Sequence, residues 1–151
     1  MKKELIAELE FHKGIAREFL TCVSEARVDK LCNMITENWV MHGGLPGIKR
    51  GPEGIRQLFR SFGEIDQEWK TEMVIAEGKY VVVRAINTCF QQSFFGIPTY
   101  GKPQVFSAMF IHRIENGKIA ETWRNADDLG RLFQLGARPE LIPDEQGMYS
   151  R

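Results

Sequence analysis

The sequence predicts an α+β fold in which helices pack on one face of an antiparallel sheet. Apolar residues recur at helical spacing through the first sixty residues, and after Gly63 the pattern changes to alternation along several long stretches. Helices that precede a meander of long strands are typical of α+β domains. A strongly bent sheet with the helices on its concave face encloses a pocket, which is a first indication of function.

The helical part of the chain is predicted to contain three helices. The apolar stripe of residues 15–23 predicts the first, and Gly14 weakens it, so residues 3–13 are expected to form a separate or kinked segment. A second, short helix is predicted over residues 28–35. The third begins at Pro52, since proline suits the first position of a helix.

The alternating part of the chain predicts a meander of strands. Four strands are predicted, over residues 69–75, 80–92, 104–115 and 118–125. Asn116-Gly117 predicts a tight hairpin, because both residues tolerate positive φ. Residues 94–103 are predicted to form a loop, and a short helix over 129–135 follows, capped by Asp127 or Asp128.

Length and charge exclude several classes of protein. The 151 residues fit a single domain, predicted over residues 1–138, with a C-terminal tail over 139–151. Twenty basic and 20 acidic residues give a net charge of zero, which argues against a protein whose whole surface binds nucleic acid. No apolar run reaches the roughly 20 residues of a membrane span, and the first residues lack a signal-peptide core. Three cysteines without metal-type spacing are expected to be buried thiols in a reducing compartment. We therefore expect a cytoplasmic protein with no nucleic-acid or membrane partner.

Several motifs, taken in order, carry a resemblance to a known family. They are Trp39–His42, Gly51–Ile55, Phe95–Lys102, His112–Trp123 and Gln134–Gly136. Together they resemble the SnoaL-like polyketide cyclase, or ester cyclase, family over roughly residues 10–138. The resemblance implies the cone-shaped nuclear transport factor 2-like fold, which also serves ketosteroid isomerases and limonene-epoxide hydrolases. It also implies a homodimer formed through the outer face of the sheet.

The same resemblance implies chemistry without a cofactor on a small, mainly apolar molecule. The characterised cyclases close a ring by intramolecular aldol addition, with an aspartate on the last strand as acid and base. Counting from Ile119 to the Gln134–Gly136 motif places Arg124 at that position. Phe110 replaces a pocket histidine of the family, and Thr88–Phe90 replaces its Gly-Thr-His. The acid/base pair of the characterised cyclases is therefore missing.

The remaining catalytic candidates are His42, Arg124 and Asp127. Arg124 cannot act as a base, but it can hold a carboxylate, enolate or phenolate, unless it reaches solvent or pairs with Asp127 or Asp128. His42 is the best remaining general base, unless it bonds to backbone at the loop entrance. Asp127 either lies at the cavity rim or caps the last helix. The three histidines show no metal-binding spacing, so no metal is expected.

Aromatic and polar residues on the predicted strands and helices form the candidate substrate-binding set. It comprises Trp39, Phe59, Phe62, Phe90, Phe110, Thr122, Trp123 and Asn125. The loop aromatics Phe94, Phe95 and Tyr100 are expected to cover a cavity or to bury at a dimer interface. The resemblance implies cyclisation, isomerisation or lyase chemistry through an enolate-like intermediate, with Arg124 stabilising the anion and His42 or Asp127 moving the proton. A non-catalytic ligand-binding or interaction domain and an epoxide-hydrolase-like enzyme are the alternatives.

Overall fold

The computed structural model describes residues 1–137. Its elements are α1 (Lys2–Ser24), α2 (Val28–Met34), β1 (Ile35–His42), α3 (Pro52–Phe62), β2 (Ile65–Glu77), β3 (Tyr80–Gln91), β4 (Ser93–Phe94), β5 (Ile97–Pro98), β6 (Gln104–Glu115), β7 (Lys118–Ala126) and α4 (Asp128–Gln134). The tail predicted over 139–151 lies outside the described residues. None of the helices within them is both long and apolar enough to cross a membrane.

The α+β prediction is confirmed, but the sheet is mixed and not wholly antiparallel. The curved five-stranded sheet has the order β1-β7-β6-β3-β2, and β1 runs parallel to β7 while the other pairs are antiparallel. The strands β1 and β7 are far apart in the chain. Local periodicity reports that a segment is extended, but it does not report the direction of a distant neighbour.

The sheet has an inner face, covered by α1–α3, and an opposite outer face. On β3 the side chains of Val81, Val83 and Ala85 are fully buried on the inner face. They join Phe19 and Leu20 of α1 in one apolar core. Strand alternation therefore sorts each side chain of the sheet to the helix-covered face or to the outer face.

Several element boundaries differ from the sequence prediction. Helix α1 continues through Gly14, because burial of His12 and Ala16 on either side of it offsets the cost of about 1 kcal/mol for a helical glycine. Ile35 begins β1 and does not end α2, and the segment predicted as a loop contains the small β4–β5 hairpin. The predicted hairpin turn is confirmed, with φ of +50° at Asn116 and +76° at Gly117.

Candidate functional site

A cavity of about 440 Å³ lies between the inner face of the sheet and the helices. A volume of this size suits a small organic molecule. Its apolar lining includes Phe19, Leu20, Val23, Leu31, Trp39, Ile55, Leu58, Phe59, Phe62, Trp69, Phe94, Phe106 and Phe110. The cavity walls thus favour a mainly apolar ligand.

Three charged side chains, Arg124, Asp128 and Arg131, line the cavity within residues 1–137. Arg124 points inward from β7, and its Nη1 and Nη2 each donate a 2.9 Å hydrogen bond to one carboxylate oxygen of Asp128. The pair forms because α4 starts directly after β7 and brings Asp128 back over the strand. Of the alternatives for Arg124, the structure selects pairing with Asp128, and both residues line the cavity.

Arg131 of α4 lines the cavity, and its side chain is buried. Its Nε donates to Gln104 Oε1 at 2.6 Å, and its Nη2 donates to Gln91 Oε1 at 2.7 Å. The guanidinium carbon lies 3.7 Å from the ring centroid of Phe94 and 4.8 Å from that of Phe106. Burial lowers the pKa of Arg131 from its ordinary value, because the charged form loses contact with water.

A buried hydrogen-bonded trio connects β1, β6 and β7. Trp39 Nε1 donates to Thr122 Oγ1 at 3.0 Å, and His112 Nδ1 lies 2.9 Å from the same oxygen. Burial lowers the pKa of His112 to about 4, so the ring is neutral at pH 7. A proton on Nδ1 avoids burying an unpaired N–H at Nε2, which has no partner among residues 1–137. Thr122 Oγ1 then accepts two bonds, and its own proton is free for the cavity that Thr122 lines.

His42 lies on the outer face of the sheet and not in the cavity lining, which corrects its prediction as the general base of the site. In the parallel pairing of β1 with β7, His42 is in register with Trp123 and stacks on it, with ring centroids 5.2 Å apart. Its Nε2 lies 2.6 Å from Glu121 Oε2. His42, and after it Arg113, hold the pKa of Glu121 below its ordinary value. The sheet separates this outer cluster from the cavity.

Four further candidates also lie away from the cavity lining. Phe90, Trp123 and Asn125 are on the outer face, because their strands alternate and the neighbouring residues point inward. Asp127 is the N-cap of α4 and accepts a 2.8 Å hydrogen bond from the backbone nitrogen of Gly130. Among the other candidates, Trp39, Phe59, Phe62, Phe110 and Thr122 line the cavity.

Sequence reasoning missed several polar residues that line the cavity. Asn87 and Gln91 line it, and Gln67 accepts a 3.1 Å hydrogen bond from Asn87 Nδ2. Alternation along β3 puts Asn87, Cys89 and Gln91 on one face and is a signal that identifies them. No such signal identifies Arg131, because the docking of α4 brings its side chain to the cavity. No group of three or more His, Cys, Asp or Glu side chains in the described part of the chain is arranged to hold a metal ion.

Comparison with solved structures places this fold among known relatives. TsrD from Streptomyces laurentii matches with a TM-score of 0.75 at 26% identity, covering 85% of this chain and 97% of that one. A SnoaL-like polyketide cyclase from Agrobacterium tumefaciens matches with a TM-score of 0.68 at 22% identity, covering 81% and 95%. An LEH-like epoxide hydrolase from M. tuberculosis matches in fold with a TM-score of 0.67 at 16% identity, covering 85% and 91%.

The sequence matches a family profile, whereas no curated protein matches the chain. The family profile described as SnoaL-like polyketide cyclase matches residues 13–135, which is most of the chain and contains the cavity-lining elements. The chain therefore belongs to the SnoaL-like polyketide cyclase family.

Proposed function

We propose that this protein is a cofactor-independent enzyme that acts on a mainly apolar small molecule through an enolate-like intermediate. The reaction class is cyclisation of a polyketide-type substrate, isomerisation or lyase chemistry. The observation that carries the proposal is the Arg124–Asp128 pair in an otherwise largely apolar cavity. A carboxylate held at a fixed position beside an apolar ligand is suited to moving a proton at carbon.

Asp128 is the proposed proton carrier. Each of its oxygens accepts one hydrogen bond from Arg124, and a carboxylate has further lone pairs that can take a substrate proton. Asp128 removes a proton from a carbon next to a carbonyl group, and the C–H electrons form the enolate. Thr122 Oγ1–H donates a hydrogen bond to the enolate oxygen, where negative charge develops.

The fate of the enolate decides among the three reaction types. In cyclisation, the enolate carbon attacks a second carbonyl carbon of the same molecule, a C–C bond forms, and the new alkoxide takes the proton from Asp128. In isomerisation, Asp128 returns the proton to a different carbon. In lyase chemistry, the enolate electrons expel a leaving group from the adjacent carbon, and that group takes the proton.

The spacing of Arg124 and Asp128 supports a family-type reaction despite the missing strand aspartate. The resemblance puts Arg124 where the characterised cyclases carry their acid/base aspartate. Asp128, four residues later, brings a carboxylate back to the same region of the cavity through its bond to Arg124. The role of the missing aspartate thus passes to a residue of α4.

The test is an Asp128→Asn variant assayed for proton exchange. Aryl 1,3-diketones are incubated in D₂O with the purified protein, and loss of the α-proton signal is followed by NMR. We expect exchange by the wild type above the buffer rate and a fall of about 100-fold or more in the variant, the usual range for a lost general base.

The matched control is Asp127→Ser, which removes the neighbouring carboxylate but keeps an N-cap for α4. This variant should exchange at the wild-type rate. Equal rates for Asp128→Asn and wild type, or wild-type exchange no faster than buffer, contradict the proposal.

Two other functions differ in what they require of the cavity. A non-catalytic binding domain is compatible with a charge pair that neutralises itself, and it predicts ligand binding without exchange. An epoxide hydrolase of this fold uses two carboxylates with an arginine, whereas Asp128 is the one carboxylate that lines the cavity in residues 1–137. The enolate chemistry therefore agrees better than epoxide hydrolysis with the residues at the site, and the exchange assay distinguishes it from binding alone.

A further inference from the structure

Arg131 is a buried cation that has no acidic partner among residues 1–137. Its residue is 6% exposed and lines the cavity. Its hydrogen bonds go to the neutral groups of Gln104, Gln91 and Cys89. Both oxygens of the nearby Asp128 accept hydrogen bonds from Arg124. The two arginines of the cavity therefore differ, because Arg124 donates hydrogen bonds to a carboxylate and Arg131 does not.

A buried charge without a counter-charge is costly, and the surroundings of Arg131 offset only part of that cost. Two amide oxygens and the faces of Phe94 and Phe106 stabilise a cation without neutralising it. A guanidinium has five N–H donors, and Nη1 of Arg131 makes no hydrogen bond to any residue in the described range. Charge and donors are thus both available to an anion in the cavity.

A second unsatisfied polar group lies on the same wall. Asn87 is 1% exposed and lines the cavity, and its Oδ1 has no hydrogen-bond partner in residues 1–137. It precedes Cys89, which contacts Arg131, by two residues on the same face of β3. That spacing puts the two strand positions about 7 Å apart along β3. A mainly apolar ligand that carries both an acidic group and a hydroxyl would satisfy Arg131 and Asn87 together.

We propose that Arg131 binds the carboxylate of the substrate, and that this substrate is a mainly apolar organic acid. The acid group lies against Arg131 Nη1, a hydroxyl donates to Asn87 Oδ1, and the apolar body fills the rest of the cavity. Arg–carboxylate hydrogen bonds are among the strong ones in proteins. The inference rests on the proposed function for the reaction and adds the class of its substrate.

The test compares an acid with its neutral isostere. Isothermal titration calorimetry at pH 7.5 measures the binding of 6-hydroxy-2-naphthoate and 6-hydroxy-2-naphthamide to the wild type and to Arg131→Gln. We expect the wild type to prefer the acid by about 10-fold or more, as for a hydrogen bond to a charged group. In Arg131→Gln this preference should disappear, while affinity for the amide changes little.

Two further variants control for net charge and for folding. Arg84→Gln removes the same charge from an arginine that is paired with Glu72 on the outer face, and it should keep the full preference. Arg131→Lys keeps the positive charge with fewer N–H donors, and it should retain part of the acid preference. This variant tests the proposal if Arg131→Gln does not fold. Equal loss of preference in Arg84→Gln and in Arg131→Gln would overturn the assignment.

The outcomes separate this inference from the proposed function. An acid preference that depends on Arg131, without proton exchange by the wild type, supports the anion site and contradicts the enzymatic proposal. Exchange that depends on Asp128, together with equal binding of acid and amide, supports the enzymatic proposal and contradicts the anion site. No acid preference in the wild type across one- to three-ring aromatic acids, including no binding of any of them, overturns the inference.

Discussion

The two arginines of the cavity differ in their hydrogen-bond partners, and this difference decides which of them can bind an anionic ligand. The sequence suggests Arg124 as the group that holds an anionic ligand, because the resemblance places it where the characterised cyclases carry their aspartate. In the folded chain both terminal nitrogens of Arg124 donate hydrogen bonds to Asp128. Arg131, buried among neutral partners, keeps a charge that a ligand can use. The anion-binding role that was predicted for Arg124 is therefore better assigned to Arg131.

His112 should make the stability of the protein depend on pH. Its folded pKa is about 4, below the ordinary value of 6.5, because the ring is fully buried. The unfolded chain therefore binds more protons between these values, and the free energy of unfolding falls as pH drops from about 6.5 to 4. The loss attributable to His112 is about 3 kcal/mol, and it is complete near pH 4.

Urea unfolding of the wild type and of His112→Gln between pH 4 and pH 8 measures this contribution. The variant should show a shallower decline below pH 6.5, while the two curves run parallel above pH 7. If the difference between the two free energies of unfolding stays constant across the range, His112 does not titrate as described.

At the scale of elements, the site depends on the junction between β7 and α4. Alternation on β7 turns Thr122 and Arg124 inward, and the immediate start of α4 returns Asp128 and Arg131 to the same cavity. The end of β1 supports this junction from the other side. Gly43 has φ of +81°, and a Cβ built on it would lie 2.2 Å from the backbone oxygen of Arg124. A glycine is needed there for both its conformation and its size.

Gly43→Ala should destabilise the protein more than Gly47→Ala does. Gly47 has a similar φ of +76°, but a Cβ on it would meet no atom within 4 Å. Both variants carry the left-handed penalty of about 1–2 kcal/mol, and Gly43→Ala adds a steric cost of about 1–3 kcal/mol. Urea unfolding at pH 7 measures both losses. Equal losses would show that the contact with Arg124 relaxes without cost.

At the scale of the whole molecule, the sheet presents two different faces. The inner face closes the cavity, while the outer face leaves large apolar side chains at least partly in water. The exposed members are Met73, Ile75, Tyr80, Phe90, Val105, Met109 and Ile111. An apolar face of this kind, together with a net charge of zero, favours self-association.

We expect a homodimer formed through the outer face. Ile111→Lys places a charge near the centre of that face and should convert the dimer to a monomer in sedimentation velocity experiments. Leu5→Lys, a substitution at an exposed position of α1, serves as the control and should leave the dimer intact. A wild type that sediments as a monomer at all concentrations would contradict the expectation.

Periodicity in the sequence determines most of the element types, the α+β class, the hairpin at Asn116-Gly117 and the placement of Thr122 and Arg124 on one face of the last strand. These features depend on neighbours a few residues away, so local pattern reports them. Tertiary structure decides the parallel pairing that turns His42 outward, the bond from Asp128 to Arg124 and the burial of Arg131. Each of these depends on how a distant strand or helix docks, and no local pattern records that direction. For this protein, the sequence indicates the family and the cavity, and the docking of α4 decides which charges enter it.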